Sequence, residues 1–487
     1  MRIPHVKILS GVACALIGTS AFAEQATSIS QQVQTVDKRT QLLEQQVTEL
    51  RSKLNDLNTS VKDEDKKSTF VNNDQLSEAV RAHSLVSFGP YLNIRTQFNG
   101  SELIVNTPSI RESSRLLYNR YKNEQAAKTA GKPMPTVPRI ELSGVIGGQA
   151  FYSRGYDAGK TSDIDVTDAE IDTYVVMNHW ITGFMAVVYD NGRADSSRAV
   201  DNSNVEINKA FVTLGDLEHT PFYSSLGQLY VPFGRYSSSM VASPLTQKVG
   251  RTKERTLMVG YKTTDANAFY GELYAFKASS GFSSERSTVN DGGLDLGYDF
   301  YVDERLSGEI GASVISTIAD STGIQDGSSM SGGFSGLSCS TCSQSMKQRV
   351  PGADVYTKVT YDPFSFAAEY VTATHKFDRR TGFMYGDEGA KPAAQNVELA
   401  YTMHIFDKPS SVAIGYGHTS QAAMLGLPNR RYAFAYNVSV WKHTLETIEF
   451  RREYNYSHSS ASNVSGDSLE NLGKINNVIT AQIYVYF

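Results

Sequence analysis

The chain has 487 residues, 40% of them hydrophobic, with a mean hydropathy of −0.31. Its 46 basic and 51 acidic residues give a formal charge of −5, which offers no basic footprint for nucleic acid. Three cysteines cannot brace so long a chain, and beyond the N-terminus there is no apolar run of about 18 residues. A disulfide scaffold and a bundle of membrane helices are both excluded.

The first segment reads as an address. Arg2 and Lys7 precede an apolar and small stretch over residues 8–20, and Ala21-Phe22-Ala23 supplies the small–x–small pattern of a cleavage site. The expectation is a signal peptide over residues 1–23 and a mature start near Glu24. Cys14 is then removed rather than lipidated, since Gly11 stands where a lipoprotein signal needs a large apolar residue.

Residues 24–68 are expected to form a periplasmic coiled coil. Ile29, Val33, Val36, Thr40, Leu43, Val47, Leu50, Leu54, Leu57 and Val61 step by alternating four and three. So narrow an apolar stripe needs a partner helix, which points to a homo-oligomer; a single amphipathic helix is the alternative. Residues 69–141 read as a periplasmic or lumenal linker segment. Within it residues 109–128 look helical, with Leu116, Leu117 and Tyr121 on one stripe, and Pro133, Pro135 and Pro138 stiffen the exit.

From residue 142 to residue 487 the pattern changes to segments of about ten residues that alternate with period two. At the chain end Ile479, Ala481, Ile483, Val485 and Phe487 share one face, and Thr480, Gln482, Tyr484 and Tyr486 the other. Near residue 205 the same alternation puts Val205, Ile207, Lys209 and Phe211 together, with Lys209 as the misfit. Sixteen candidate strands start near residues 142, 166, 181, 205, 224, 255, 268, 292, 307, 353, 364, 395, 411, 431, 444 and 475. The connections alternate short and long, as a barrel with both ends in the periplasm requires. The fold expected is an all-β transmembrane barrel of about 16 antiparallel strands, preceded by the α-helical coiled coil. Its place would be the outer membrane of a Gram-negative bacterium, in contact with lipid and lipopolysaccharide. Aromatic residues such as Tyr174, Trp180, Tyr223, Tyr230, Tyr298, Tyr301, Trp441, Tyr454 and Tyr484 fall near strand ends, where interfacial girdles belong.

Sixteen strands leave an aqueous lumen. The third long connection carries Arg235, Lys248, Arg251 and Lys253, with Arg255 opening the next strand, against Glu254 alone. Folded inward, it would line a positive constriction that concentrates anionic solutes; facing solvent, its cations would only solubilise it or meet lipopolysaccharide phosphates. Cys339 and Cys342 sit in the longest, Gly/Ser-rich loop, where a local disulfide is the natural reading; two thiols without a nearby His do not make a metal site. No catalytic constellation and no cofactor motif stands out.

Several stretches carry a resemblance. They are residues 101–110 (SELIVNTPSI), Arg115-Leu116-Leu117, Val231-Pro232-Phe233-Gly234, Ser243-Pro244-Leu245-Thr246-Gln247 and Gly250-Arg251-Thr252-Lys253. Together with the signal peptide and the heptads, they resemble the LbtU family of siderophore porins, named for the legiobactin receptor. The resemblance implies a sixteen-stranded outer-membrane protein that takes up a carboxylate-type ferric siderophore. A general diffusion porin and a tether between outer membrane and peptidoglycan are the alternatives that the residues leave open.

Overall fold

The computed structural model describes residues 86–88, 110–129, 131, 137–155, 159–190, 204–278, 280, 288–328, 349–381, 383–457 and 472–487. The expected signal peptide, the heptads of residues 29–61 and the Cys339–Cys342 pair lie outside these residues.

Sixteen antiparallel strands close into one barrel. In chain order they are β1 (Arg139–Arg154), β2 (Lys160–Val176), β3 (Ile181–Asp190), β4 (Asn204–Gly215), β5 (Phe222–Tyr230), β6 (Lys253–Lys262), β7 (Ala268–Phe276) and β8 (Asp291–Tyr301). The second half comprises β9 (Leu306–Ile315), β10 (Gly352–Tyr361), β11 (Phe364–Ala373), β12 (Ala393–Ile405), β13 (Lys408–Ser420), β14 (Arg430–Val438), β15 (Thr444–Tyr454) and β16 (Ile475–Tyr486). Each strand pairs with its sequence neighbours, and β16 pairs with β1 from Asn477↔Arg154 to Tyr486↔Val145, so no edge is left open. Closure of this kind lets the wall amides pair with one another around the ring, which is what a hydrocarbon solvent demands. Strand starts fall within three residues of the expected positions except for β2, which begins at Lys160. The first connection is correspondingly short, because β1 and β2 extend as a long hairpin.

Alternation sets the two faces. On β16 every second residue from Asn476 to Tyr486 is buried, while Ile475, Ile479, Ile483 and Val485 are exposed outward. The misfit Lys209 is resolved by a β-bulge: the β3–β4 register slips between Ala186 and Val187, leaving Asn208 as the extra residue. Val205 and Ile207 therefore face out, whereas Lys209 and Phe211 face in. Several expected girdle aromatics also turn inward: Tyr174, Tyr223 and Tyr484 are buried. The expected Trp180, Tyr301 and Trp441 are exposed, and cross-strand pairs such as Phe222–Tyr261, Phe269–Tyr298 and Phe364–Tyr401 complete the outer girdle, with ring centroids 5.2, 4.6 and 5.1 Å apart.

Inward tyrosines lie flat because glycines make room. Tyr270 is the register partner of Gly297, and a Cβ on that glycine would stand 2.0 Å from the tyrosine Oη. Tyr356 lies over its partner Gly311 in the same way.

Two inserts occupy the lumen. Helix α1 (Glu112–Thr129) precedes the barrel and packs against the inner wall near the short turns. The third long connection, residues 231–252 with helix α2 (Leu245–Gly250), runs across the lumen toward β9–β15. At the long-loop end Phe233, Leu245 and Val249 meet Ile318, Ile324 of helix α3 (Thr322–Ser328), Phe377 and Phe383 in one buried apolar cluster. Each such side chain contributes about 1.5–3 kcal/mol by leaving water, enough to hold long loops over the barrel mouth.

Candidate functional site

The site is the water-facing surface left between α1, the third long connection (loop 3, residues 231–252) and the wall. Loop 3 is pinned by carboxylates that project inward from three strands of one side of the barrel. Glu369 of β11 accepts the backbone N–H groups of Arg235 (2.5 Å) and Tyr236 (2.9 Å) and the Thr246 hydroxyl (2.6 Å). Glu398 of β12 accepts Ser238 Oγ at 2.7 Å and Ser239 N at 2.8 Å. Glu449 of β15 accepts Val241 N at 2.7 Å and Ala242 N at 3.1 Å. All three carboxylates are buried. The Gly234 N–H donates to Ser313 Oγ of β9 at 2.9 Å.

Helix α1 is held by its own charges. Arg120 is buried and donates to the His179 carbonyl at 2.7 Å, with Asp216 Oδ1 at 3.7 Å and Glu124 Oε1 at 3.6 Å. Burial raises the Glu124 carboxyl above its usual pKa, against the pull of Arg120. Lys209, on the inward phase set by the bulge, lies 3.1 Å from Glu112 and 3.4 Å from Glu170. Lys128 pairs with Glu218 on the short turn after β4. Just before the helix, Arg111 adopts φ 57°, a left-handed conformation that costs a non-glycine residue about 1–2 kcal/mol. Its guanidinium offsets that strain by bonding Glu309 Oε1 at 2.6 Å and lying 3.9 Å from the centre of the Tyr270 ring.

The two inserts meet at Glu309, which also receives Arg235 Nε at 2.9 Å. At this junction Arg111 is as buried as Glu309, at 10% and 12% exposure, whereas two other arginines keep more water than the carboxylates they pair with. The Arg115 side chain is 26% exposed and its partner Glu112 4%; Arg235 is 23% exposed and Glu309 12%. Further along the wall, Arg451 is 25% exposed, while Glu449 and Glu453 are 0% and 8%. Arg115 and Arg235 lie near enough to repel each other, so two positive groups share the same stretch of lumen.

Of the five loop cations expected to line a constriction, the structure brings only Arg235 to this place. Lys248 is exposed on α2, and Arg251 lies 4.7 Å from the centre of the Tyr230 ring, with its carbonyl accepting Thr322 N at 2.8 Å. Lys253 bonds Asn208 Oδ1 at 3.0 Å and stands 3.6 Å from Glu206. Arg255 is exposed on the same face of β6 as Leu257 and Val259, so strand alternation directs it outward. The constriction expected from all five is corrected accordingly: loop 3 uses most of these cations at its ends and in its cap. Three lumenal arginines are not singled out by the sequence as site residues: Arg115, Arg451 and Arg431, which bonds Glu453 Oε1 and the Ser243 carbonyl, each at 2.9 Å. The inward phase of β14 and β15 was the available signal for Arg431 and Arg451; nothing in the sequence marks Arg115.

A closed barrel with an outward apolar wall and a partly filled, charged lumen defines a membrane-spanning β-barrel of the sixteen-stranded class. The chain belongs to the UPF0422 family. It is 40% identical over 408 residues to a UPF0422 protein of Coxiella burnetii, covering 83% of this chain and 84% of the relative. It is also 36% identical over 406 residues to a UPF0422 protein of Legionella pneumophila strain Lens, covering 82% and 76%. No protein-family model matches the chain. Among solved structures, an anion-selective porin from Comamonas acidovorans shows 11% identity and a TM-score of 0.43, covering 72% of this chain and 99% of that one. The outer membrane channel DcaP of Acinetobacter baumannii shows 15% identity and a TM-score of 0.44, covering 72% and 97%.

Proposed function

We propose that the protein is an outer-membrane channel of porin type that admits small anionic solutes. The observation that carries this reading is the exposure of three lumenal arginines: Arg115, Arg235 and Arg451 keep about a quarter of their side chains in water, while Glu112 of α1 and Glu309 and Glu449 of the wall are more deeply buried. A solute passing this stretch meets guanidinium groups, which raise the local concentration of anions and present paired donors to carboxylates. A carboxylate-type ferric siderophore, the cargo implied by the resemblance to the LbtU family, fits that chemistry. Residues 142–487 would form the membrane part and the heptads of residues 24–68 a periplasmic contact between copies.

The test is the reversal potential of the full-length chain in a planar bilayer under a potassium chloride gradient. Wild type should prefer chloride, and Arg115→Gln with Arg235→Gln should remove most of that preference. A cation-selective wild type, or a double variant with unchanged selectivity, overturns the reading. Block of the chloride current by a ferric polycarboxylate, relieved in the double variant, tests the finer cargo.

A further inference from the structure

We propose that the outer wall carries a binding site for a phosphorylated glycolipid, formed by Arg452, Arg154 and Lys160 with Arg430 one rung beyond. The inference rests on the barrel reading and is independent of what crosses the lumen. Register places these residues. One rung of outward residues runs Ile414, Phe434, Phe450, Ile479, Tyr152 from β13 to β1, and every member is at least two-fifths exposed. The next outward rung, two residues nearer the long loops, runs Tyr416, Tyr432, Arg452, Asn477, Arg154, Lys160. The wall thus steps from wholly apolar to aromatic and cationic within one pleat repeat, roughly 7 Å.

That step marks a hydrocarbon boundary, and cations there meet head groups. Arg452, Arg154, Lys160 and Arg430 are all exposed, and among the described residues none of the four has an ion-pair partner. Outward positions of this sector hold no carboxylate on either rung. From Arg452 to Lys160 the rung crosses three strand steps, roughly 15 Å, so more than one phosphoryl group can be held at once. Tyr416 and Tyr432, with rings 5.2 Å apart, and Tyr454, 6.0 Å from Tyr432, form an aromatic platform beside the cations. Phosphate beside sugar, above acyl chains, matches the order of cation, aromatic ring and apolar wall. A single-phosphate lipid would use only part of it.

The site lies at the long-loop end, which in an outer membrane faces the leaflet of phosphorylated glycolipid. Elsewhere on the same rim, from β7 to β11, the outward positions Ala275, Leu294, Val314, Ala353 and Thr372 carry no charge. This sector differs in holding four cations across five neighbouring strands, where β6 holds the exposed Arg255 and the exposed Lys277 follows β7.

The experiment titrates the purified full-length chain, in lipid-free detergent micelles, with purified lipopolysaccharide. Arg154→Gln with Arg452→Gln should weaken binding by about tenfold or more, and dephosphorylated lipopolysaccharide should bind wild type as weakly. Lys442→Gln, at the short-turn rim, should bind as wild type does. Equal affinity of the double variant, or an equal loss in Lys442→Gln, overturns the site. Phosphatidylglycerol or inorganic phosphate that competes as well as lipopolysaccharide overturns the glycolipid as its ligand. Bilayer conductance of the double variant, expected unchanged, shows that the barrel is intact. Should that variant not fold, Arg430→Gln and Lys160→Gln singly carry the same comparison.

Discussion

The two lumenal inserts are held by opposite chemistries. Wall carboxylates grip loop 3 by its backbone, through the N–H groups of Arg235, Tyr236, Ser239, Val241 and Ala242. Helix α1 grips the wall with its own side chains, through Glu112 on Lys209 and Arg120 on the His179 carbonyl. An insert held by its amides tolerates changes in its own side chains and depends on the residues that face it. One held by its side chains can be released by a single substitution. The constriction is therefore encoded in two places: in the wall for loop 3, and in the helix for α1.

That contrast can be broken most sharply at Lys209. Lys209→Met takes from the buried Glu112 the nearer of its two cations, leaving Arg115 at 3.4 Å, at a cost of up to about 3–5 kcal/mol. We expect an earlier loss of the folded barrel band on heating in detergent and a raised conductance as α1 loosens. Combining it with Glu112→Gln should restore much of the stability; no restoration would mean that the helix is not held by this pair. Next in size is Glu369→Ala, which strips two loop N–H groups and the Thr246 hydroxyl of their acceptor at about 1–3 kcal/mol for each donor left dry. The expected readout is a larger, noisier single-channel current, whereas Ser239→Ala, in the loop itself, should change the current little. Equal effects of the two would dissolve the distinction.

The smallest expected effect concerns pH. Glu124 has a raised pKa in the fold, so the folded chain holds its proton to higher pH than the unfolded chain does. The sign follows: this group favours folding below its unfolded pKa, and that contribution fades as pH rises through the folded value. Glu124→Gln should flatten the fall in melting temperature between acid and neutral pH. An unchanged slope would show that Arg120 keeps the carboxylate ionised throughout.

The wall was largely legible because strand alternation is local: β16 shows its two faces in its own twelve residues. Lys209 failed that reading because a bulge depends on a neighbouring strand, and one inserted residue reverses every face beyond it. Helix α1 was legible as a helix, since Leu116 and Leu117 mark its apolar side, but its place inside was not. Arg111, Arg120 and Glu112 look like solvated charges, and their partners on the wall lie 59 to 198 residues away. Loop 3 advertised its cations and hid its anchors, because backbone N–H groups leave no mark in a sequence. The expected heptads and the Cys339–Cys342 pair fall outside the described residues.

The tyrosines laid over glycines have a consequence for how such a wall can change over time. Tyr270 with Gly297, and Tyr356 with Gly311, each behave as one unit divided between neighbouring strands. Giving the glycine a methyl group drives it into the ring, and shrinking the ring uncovers a hollow beneath it. Neither half can drift alone without harm, so a relative that replaces one member should carry a matching exchange on the adjacent strand.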